Sequence, residues 1–261
     1  MTRVLAVPRI EQVLAFCAED PVERVFLEDV ARRGLGRFVA VERDDGSLVA
    51  LCHTGANVVP AGEGCGVFGQ AAGRARARMI IGDERAVGEL WETARDLLPE
   101  PTDDRPGQPV YVLCEPPEPG DTGLRAAVAA DLARLVPACA AAYLEELGVD
   151  PLARDPEGFR WRTRVQIDEG RSWLWEEDGR ILFKAEASAW TPSAVQLQQV
   201  WADIETRGHG YARRGLQDLC RLLLRETPCV CLFVRPENER AIRLYDAIGM
   251  QRRGSCRSLV F

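Results

Sequence analysis

A strand, a glycine-containing turn and a helix follow one another late in the chain, and this succession constrains the fold most. The apolar run Val195–Ala202 is typical of a buried strand. Arg213–Arg225 has apolar residues at helical spacing and is rich in strong helix formers. Between them lies the turn Glu205–Ala212, with the sequence ETRGHGYA. The three segments together predict a helix whose first N–H groups are open to a ligand.

The turn has the properties of an anion site. The first N–H groups of a helix have no partner within the helix, and the helix dipole adds partial positive charge there. Gly208 and Gly210 let the backbone approach a bulky anion and adopt positive φ, and Arg207 can add a charge-assisted contact. The spacing is not that of the nucleoside-triphosphate loop, G-x-x-x-x-G-K-[ST]. We expect a pyrophosphate site; a glycine-containing helix start without a ligand is the alternative.

A second motif follows. Cys229–Arg235 is a short run of β-formers and predicts a buried strand. Asn238 suits the N-cap of the next helix, on which Ala241 and Tyr245 share a face. Gly249 suits the position just after the end of that helix.

Together the two motifs resemble the acyl-coenzyme A site of the GCN5-related N-acetyltransferases, the GNAT family. Arg207, Gly210 and Ala212 match its pattern R-x-x-G-x-A, and the second motif matches the Asn followed by a helix with Ala and Tyr. The resemblance extends from Leu124 to Phe261. It implies an α+β fold with a mixed, mostly antiparallel sheet flanked by helices. In that fold the fourth and fifth strands splay apart, and the pantetheine arm lies in the gap.

The remaining segments of this half agree with that element order. Asp178-Gly179 is a strong hairpin signal between two strand-like runs. The predicted helices and strands are Leu124–Val128, Asp131–Leu147 (helix), Pro156–Glu169 (helix), Ser172–Glu177, Arg180–Trp190 and Gly254–Phe261.

The first half repeats this order more weakly. Its predicted elements are helices Ile10–Ala18 and Val22–Arg33, strands Arg37–Glu42, Ser47–Cys52 and Ala56–Val59, helices Ala71–Ala77 and Arg85–Leu98, a loop at Pro99–Pro109 and a strand at Pro109–Cys114. Gly62–Gly66 is glycine-rich but acidic, which predicts a loop rather than a phosphate cradle. This half resembles the degenerate domain found before an acetyltransferase domain in some actinobacterial proteins. We therefore expect two tandem GNAT-like domains, at 1–117 and 121–261, joined by a segment rich in Pro and Gly.

The resemblance implies direct transfer of an acetyl group from acetyl-CoA to a primary amine, on a small molecule or a protein lysine. A non-catalytic acyl-CoA-binding regulator is the alternative. The cofactor contacts that the resemblance implies are Val200, Trp201, Ala202, Arg207, Gly208, His209, Gly210, Tyr211, Ala212, Asn238 and Tyr245. Tyr245 is also the expected proton donor to the leaving thiolate, unless it is only a core aromatic. Glu186 is the candidate base, because an acidic residue in an apolar strand is unusual; an ion pair with Lys184 is equally compatible.

Two further side-chain groups carry expectations. Arg207, Arg213, Arg214 and Arg221 form a basic cluster expected near the phosphates of the cofactor. The tryptophans of the hairpin region either fill the core or wall an acceptor pocket; they are Trp173, Trp175, Trp190 and Trp201.

Composition excludes other classes of function. The formal charge of −7 argues against a general nucleic-acid binder. There is no run of about 18 apolar residues, which a membrane helix needs, and no signal-peptide core. The two histidines and nine cysteines form no metal-ligand pattern. Most cysteines sit in apolar runs, so we expect reduced, buried thiols in a cytoplasmic protein.

Overall fold

The computed structural model describes residues 2–5 and 7–261. Its strands are β1 (Thr2–Leu5), β2 (Phe38–Arg43), β3 (Leu48–Thr54), β4 (Asn57–Gly62), β5 (Met79–Asp83), β6 (Asp103–Leu113), β7 (Arg125–Ala126), β8 (Ser172–Glu177), β9 (Arg180–Trp190), β10 (Val195–Ala202), β11 (Val230–Phe233) and β12 (Gln251–Val260). Its helices are α1 (Ile10–Glu19), α2 (Val25–Arg32), α3 (Gly69–Arg74), α4 (Glu84–Ala94), α5 (Leu132–Leu147), α6 (Pro151–Arg154), α7 (Pro156–Asp168), α8 (Tyr211–Leu223) and α9 (Glu239–Ala247).

All twelve strands belong to one sheet, in the order β1-β2-β3-β4-β5-β12-β6-β11-β10-β9-β8-β7. The neighbours β4–β5 and β10–β11 are parallel, and the other pairs are antiparallel. Each half of the chain thus forms a mixed, mostly antiparallel sheet flanked by helices. The predicted fold class is confirmed.

The two halves exchange their last strands. β6 comes from the first half but pairs with β11, whereas β12 comes from the second half and pairs with β5. β6 and β12 also pair with each other along nearly their whole length. Away from the sheet, Arg171 donates hydrogen bonds of 3.1 and 2.6 Å to buried Asp29 of α2. The domain limits at 117 and 121 stay a prediction.

The loop predicted at Pro99–Pro109 is wrong from Asp103 onward, where the exchanged strand β6 begins. β6 begins at Asp103, which pairs with Val260 of β12. The proline content suggested a loop because Pro lacks the N–H that a ladder needs. Here a register shift between Cys256 and Ser258 accommodates the irregular stretch, and Gly107 within it has φ of 66°. The partner strand lies far away in sequence, so local composition gave no sign of it.

The cysteine prediction is wrong at one pair. Cys114 follows β6 directly, Cys229 precedes β11 directly, and the two form a disulfide with a Cα–Cα distance of 4.3 Å. They are 115 residues apart, and only the exchanged strand brings them together. The other seven cysteines are free and buried, as expected.

Two apolar layers in the second half position the site. α8 carries Leu216, Leu219 and Leu223 at helical spacing and packs them on one face of the sheet. α5 and α7 cover the other face, where Leu135 and Phe159 belong to a separate cluster. Within the described residues, no helix is long and apolar enough to cross a membrane.

Candidate active site

A cleft opens where β10 and β11 separate. The two parallel strands are paired only at Val195↔Val230 and Gln196↔Cys231. Beyond these pairs they diverge and leave a cavity of about 860 Å³. Its walls come from β10, the turn after it, α8, β11, α9 and the end of α5. This is the splayed cleft predicted from the sequence.

A bulge interrupts β10 at the wall of the cleft. Gln198 pairs with Glu186 and Trp201 with Lys184, so residues 199 and 200 leave the ladder with β9. Gln199 has φ of 53°, which is uncommon for a residue with a side chain. Such bulges re-aim backbone and side chains, often beside active sites. Val200, Trp201 and Ala202 all line the cavity, as expected.

The glycine turn forms one end of the cleft. Gly208 and Gly210 have φ of 88° and 82°, and Gly210 is the N-cap of α8. A Cβ built on either glycine meets no atom within 4 Å, so both face open space. Both line the cavity together with Tyr211 and Ala212. The turn therefore presents backbone, without side chains, at the positive end of a helix dipole.

Side chains around the turn differ in what they contact. Arg207 lines the cavity, donates from Nε to the Ala202 carbonyl at 3.3 Å and forms an ion pair with Glu145 of α5. The imidazole of His209 is exposed and lies 3.1 Å from the Thr206 carbonyl. That ring does not line the cavity, so only the backbone of His209 belongs to the turn.

The basic cluster is only partly at the cleft. Arg213 lines the cavity, but Arg214 donates to the carbonyls of Gly120 and Asp121 at 2.7 and 2.6 Å. Arg221 donates to the Pro117 carbonyl at 2.7 Å. Helical spacing turns both arginines toward the segment between the halves. The expectation that they approach the cofactor phosphates is therefore wrong.

α9 supplies the other wall. The Asn238 side chain accepts a hydrogen bond of 3.1 Å from the Ala241 N–H, which confirms the predicted N-cap. Tyr245 is 6% exposed, lines the cavity and packs its ring 5.5 Å from that of Tyr111. Burial, reinforced by the nearby Glu146, raises the pKa of Tyr245. Its hydroxyl therefore stays protonated at neutral pH, and the residue is both a core aromatic and part of the cleft.

Two family models match the chain. Residues 138–250 match the acetyltransferase (GNAT) family, and residues 36–135 match a domain of unknown function (DUF4081). Residues 138–250 form a GNAT acetyltransferase domain. A search of curated proteins found no match.

Solved structures resemble the whole chain. A GNAT-family acetyltransferase from Colwellia psychrerythraea has a TM-score of 0.59 at 10% identity, with 99% of each chain covered. A GCN5-related N-acetyltransferase from Sphaerobacter thermophilus has a TM-score of 0.60 at 19% identity, covering 99% of this chain and 95% of that chain. A tandem GNAT protein from the clavulanic acid biosynthesis pathway has a TM-score of 0.56 at 13% identity, covering 100% and 98%. These likenesses establish the tandem GNAT fold over both halves.

In this GNAT domain Glu186 lies in a buried ion pair. Its Oε1 accepts hydrogen bonds from Lys184 Nζ at 2.7 Å and from Cys139 Sγ at 3.2 Å. Lys184 is fully buried, which would lower its pKa, but the charges and hydrogen bonds of Glu186 and Cys139 together outweigh burial and raise it. Glu186 is 8% exposed and does not line the cavity. Of the two roles considered for Glu186, the structure shows the ion pair with Lys184, because α5 covers this part of β9.

The four tryptophans of the hairpin region divide between the core and the cleft. Trp173 and Trp175 are each 2% exposed and lie in the core, with Trp190 packed 5.6 Å from Trp173. Trp201 lines the cleft and donates from Nε1 to Glu145 at 3.0 Å. Most of this aromatic group therefore fills the core.

Three of the cleft residues that the sequence analysis missed are polar and lie on α5 and β6. Glu145 and Glu146 lie in the last turn of α5, where charged residues suggest only a solvated face. Gln108 comes from β6 and is held by a hydrogen bond of 2.8 Å to Ser258. No local pattern marks Gln108, because it reaches the site through the strand exchange.

The first half has a glycine turn at the matching place, with φ of 92° at Gly62 and 77° at Gly64, but its contacts differ. The Cys65 N–H, at the start of a short 3-10 helix (Cys65–Phe68), donates to the Glu89 carboxylate at 2.8 Å. A Cβ on Gly62 would lie 2.2 Å from the Val49 carbonyl oxygen, whereas a Cβ on Gly64 would face open space. A side-chain carboxylate from α4 thus occupies the helix start. The loop predicted at Gly62–Gly66 is wrong at its end, because Cys65 and Gly66 belong to the 3-10 helix.

Proposed function

We propose that this protein is an N-acetyltransferase, in which an acetyl group passes directly from the substrate acetyl-CoA to a primary amine. The carrying observation is the cleft between splayed β10 and β11, with an open glycine turn at one end and Tyr245 in its wall. The GNAT family of residues 138–250 supports acyl transfer from coenzyme A.

The turn suits the pyrophosphate of acetyl-CoA. Gly208 and Gly210 would offer backbone N–H groups at the start of α8, and Arg207 and Arg213 add positive charge. Arg240 and Arg243 on α9 line the same cavity. Acetyl-CoA fits this arrangement, with its phosphates at the positively charged turn and its extended pantetheine arm in the gap between β10 and β11.

The bulge and Tyr245 suit the chemistry of the thioester. Residues 199 and 200 are outside the β9–β10 ladder, so a backbone N–H near Val200 can polarise the thioester carbonyl. The Tyr245 hydroxyl, kept protonated by its raised pKa, can protonate the departing thiolate. This scheme needs no covalent acyl-enzyme, since the amine attacks the thioester carbon itself.

Calorimetry with acetyl-CoA tests the site. Wild-type protein should bind, and Gly210→Glu should lose binding, because the new carboxylate would stand where the pyrophosphate lies. Gly34→Glu is the matched control: Gly34 also has positive φ, at 63°, and open space around its Cβ, but it lies outside the cleft. If Gly34→Glu retains binding and Gly210→Glu does not, the site is supported. If wild type does not bind, the proposal is wrong.

Turnover separates the enzyme from the regulator alternative. Free coenzyme A should appear when wild-type protein is mixed with acetyl-CoA and primary amines such as tyramine, spermidine and lysine. Binding of acetyl-CoA without coenzyme A release by any amine or lysine peptide would favour a non-catalytic regulator.

A further inference from the structure

Glu146 is an acidic residue of the cleft that the transfer scheme leaves without a role. It belongs to the last turn of α5 and lines the same cavity as Tyr245, whose pKa it helps to raise. The adjacent Glu145 is already engaged, by Arg207 and by Trp201 Nε1. Glu146 makes neither contact.

The side chain of Gln199 holds one carboxylate oxygen of Glu146. Its Nε2 donates to Glu146 Oε2 at 3.1 Å, and its Oε1 accepts from Lys184 Nζ at 3.4 Å. Because an ammonium can only donate, Lys184 fixes which end of the Gln199 amide faces Glu146. The unusual backbone of Gln199 in the bulge thus serves to position this amide. Among the described residues, none donates to the second oxygen, Oε1.

Several charged and polar groups face this carboxylate. They are Lys184 of β9, Gln199 of β10, Arg105 and Gln108 of β6, Arg235 after β11 and Tyr245 of α9. Loss of surrounding water raises the pKa of Glu146, although Arg105, Gln199, Arg235 and Lys184 all act to lower it. The side chain remains open through the mouth of the cleft, but the walls remove enough water to raise its affinity for a proton. A carboxyl group so placed accepts a proton more readily than an ordinary surface glutamate.

We propose that Glu146 pairs with the ammonium group of the acceptor and takes its first proton; this assignment rests on the proposed function. An alkylammonium has a pKa of about 10 and cannot attack a thioester until it loses a proton. Glu146 Oε1 has no donor among the described residues, so it can accept a hydrogen bond from a primary ammonium group of the acceptor. The acceptor is accordingly a cation at this end, whatever the rest of its structure.

The proton and bond changes balance. One ammonium proton moves to the Glu146 carboxylate, and the freed lone pair forms the C–N bond at the thioester carbon. The C–S bond then breaks, and the thiolate takes the proton of the Tyr245 hydroxyl. The second nitrogen proton returns to the Tyr245 oxygen as the amide forms. The proton on Glu146 leaves to solvent through the open mouth, so one proton is released per turnover.

Two coenzyme A thioethers test the assignment without knowledge of the natural acceptor. One carries on sulfur an acetamide arm that ends in an ammonium group; the other has the same arm ending in a methyl group. Calorimetry with wild type, Glu146→Gln and Glu92→Gln compares their affinities. Glu92 is an exposed helical glutamate of α4, outside the cleft, and serves as the matched control.

Wild type and Glu92→Gln should bind the ammonium compound about tenfold or more tightly than the methyl compound. Glu146→Gln should lose this preference and keep its affinity for coenzyme A and for the methyl compound. The wild-type preference should also fall as the pH is lowered through the raised pKa of Glu146, whereas the variant should show no such change. An equal preference in Glu146→Gln would overturn the assignment. Failure of wild type to bind coenzyme A would overturn the proposed function itself.

Discussion

Arg207 and Glu145 form an ion pair that joins the glycine turn to the last turn of α5. Both residues line the cleft, and Glu145 also accepts a hydrogen bond of 3.0 Å from Trp201 Nε1. A pyrophosphate at the turn would compete with Glu145 for the same guanidinium. Binding of acetyl-CoA, as proposed, would therefore be coupled to the helix that carries Glu146.

Glu145→Gln should raise the affinity for acetyl-CoA by about two- to fivefold, since an exposed ion pair contributes little and its loss frees Arg207. Arg207→Ala should lower the affinity. Calorimetry at low salt would measure both, with Glu92→Gln as the control. Weaker binding by Glu145→Gln would mean that Glu145 instead prepares Arg207 for the ligand.

Tyr245→Phe should lower kcat by about 100-fold or more while the affinity for acetyl-CoA stays close to that of wild type. The substitution removes only the hydroxyl, so the ring still packs on Tyr111. Tyr111→Phe is the matched control, because the Tyr111 ring packs on Tyr245 but does not line the cleft. Steady-state kinetics with acetyl-CoA and a primary amine that wild type accepts would compare the three. Equal loss of kcat in both variants would assign the effect to packing.

Reduction of the Cys114–Cys229 disulfide should lower the free energy of unfolding. The bond closes a loop of 115 residues, and for loops near 100 residues the chain-entropy model gives about 4.7 kcal/mol. Cys114→Ser and Cys229→Ser should lose equal stability, and neither should respond to dithiothreitol. Urea unfolding with and without reductant measures this. A wild-type midpoint that does not move on complete reduction would contradict the prediction.

Asp218 should stabilise the segment between the halves in a pH-dependent way. It accepts hydrogen bonds from the N–H of Gly120 at 2.7 Å and from the N–H and hydroxyl of Thr122 at 2.8 and 2.7 Å. Burial would raise its pKa, but these bonds outweigh burial and lower it. The stabilisation is thus complete above the unfolded pKa of about 3.9 and is lost as the pH falls through the folded value.

Asp218→Asn should cost about 1–2 kcal/mol of unfolding free energy at neutral pH, and the difference should shrink below about pH 4. Chemical unfolding at several pH values would measure it. Asp96→Asn, at an exposed residue with no such bonds, is the control. A difference that is independent of pH would show that the charge of Asp218 is not what matters.

The sequence predicted what depends on neighbours along the chain. The glycine turn, the Asn238 cap and the hairpin at Asp178-Gly179 follow from local backbone chemistry, and all three form as expected. The spacing of Ala241 and Tyr245 predicted that they share one face of a helix, and Tyr245 lies in the cleft.

What the sequence did not predict depends on distant partners. Cys114 and Cys229 are brought together only by the exchanged strand, and the segment after Asp103 extends only because β12 pairs with it. Glu146 was missed because a charged residue at a helix end usually meets solvent. Arg214 was misplaced because its direction depends on a carbonyl nearly a hundred residues away.

The exchange of β6 and β12 also sets an order of events during synthesis. A ribosome makes β5 early, but one of the two strands that pair with it, β12, is made much later, at Gln251–Val260. Domains usually fold as they emerge, amino-terminal part first. Here the first half leaves the ribosome with the edge of β5 open, and the edge closes only after β12 of the second half has been made. The same arrangement makes the first half a structural part of the second: it carries β6, the strand on which β11 of the cleft is paired.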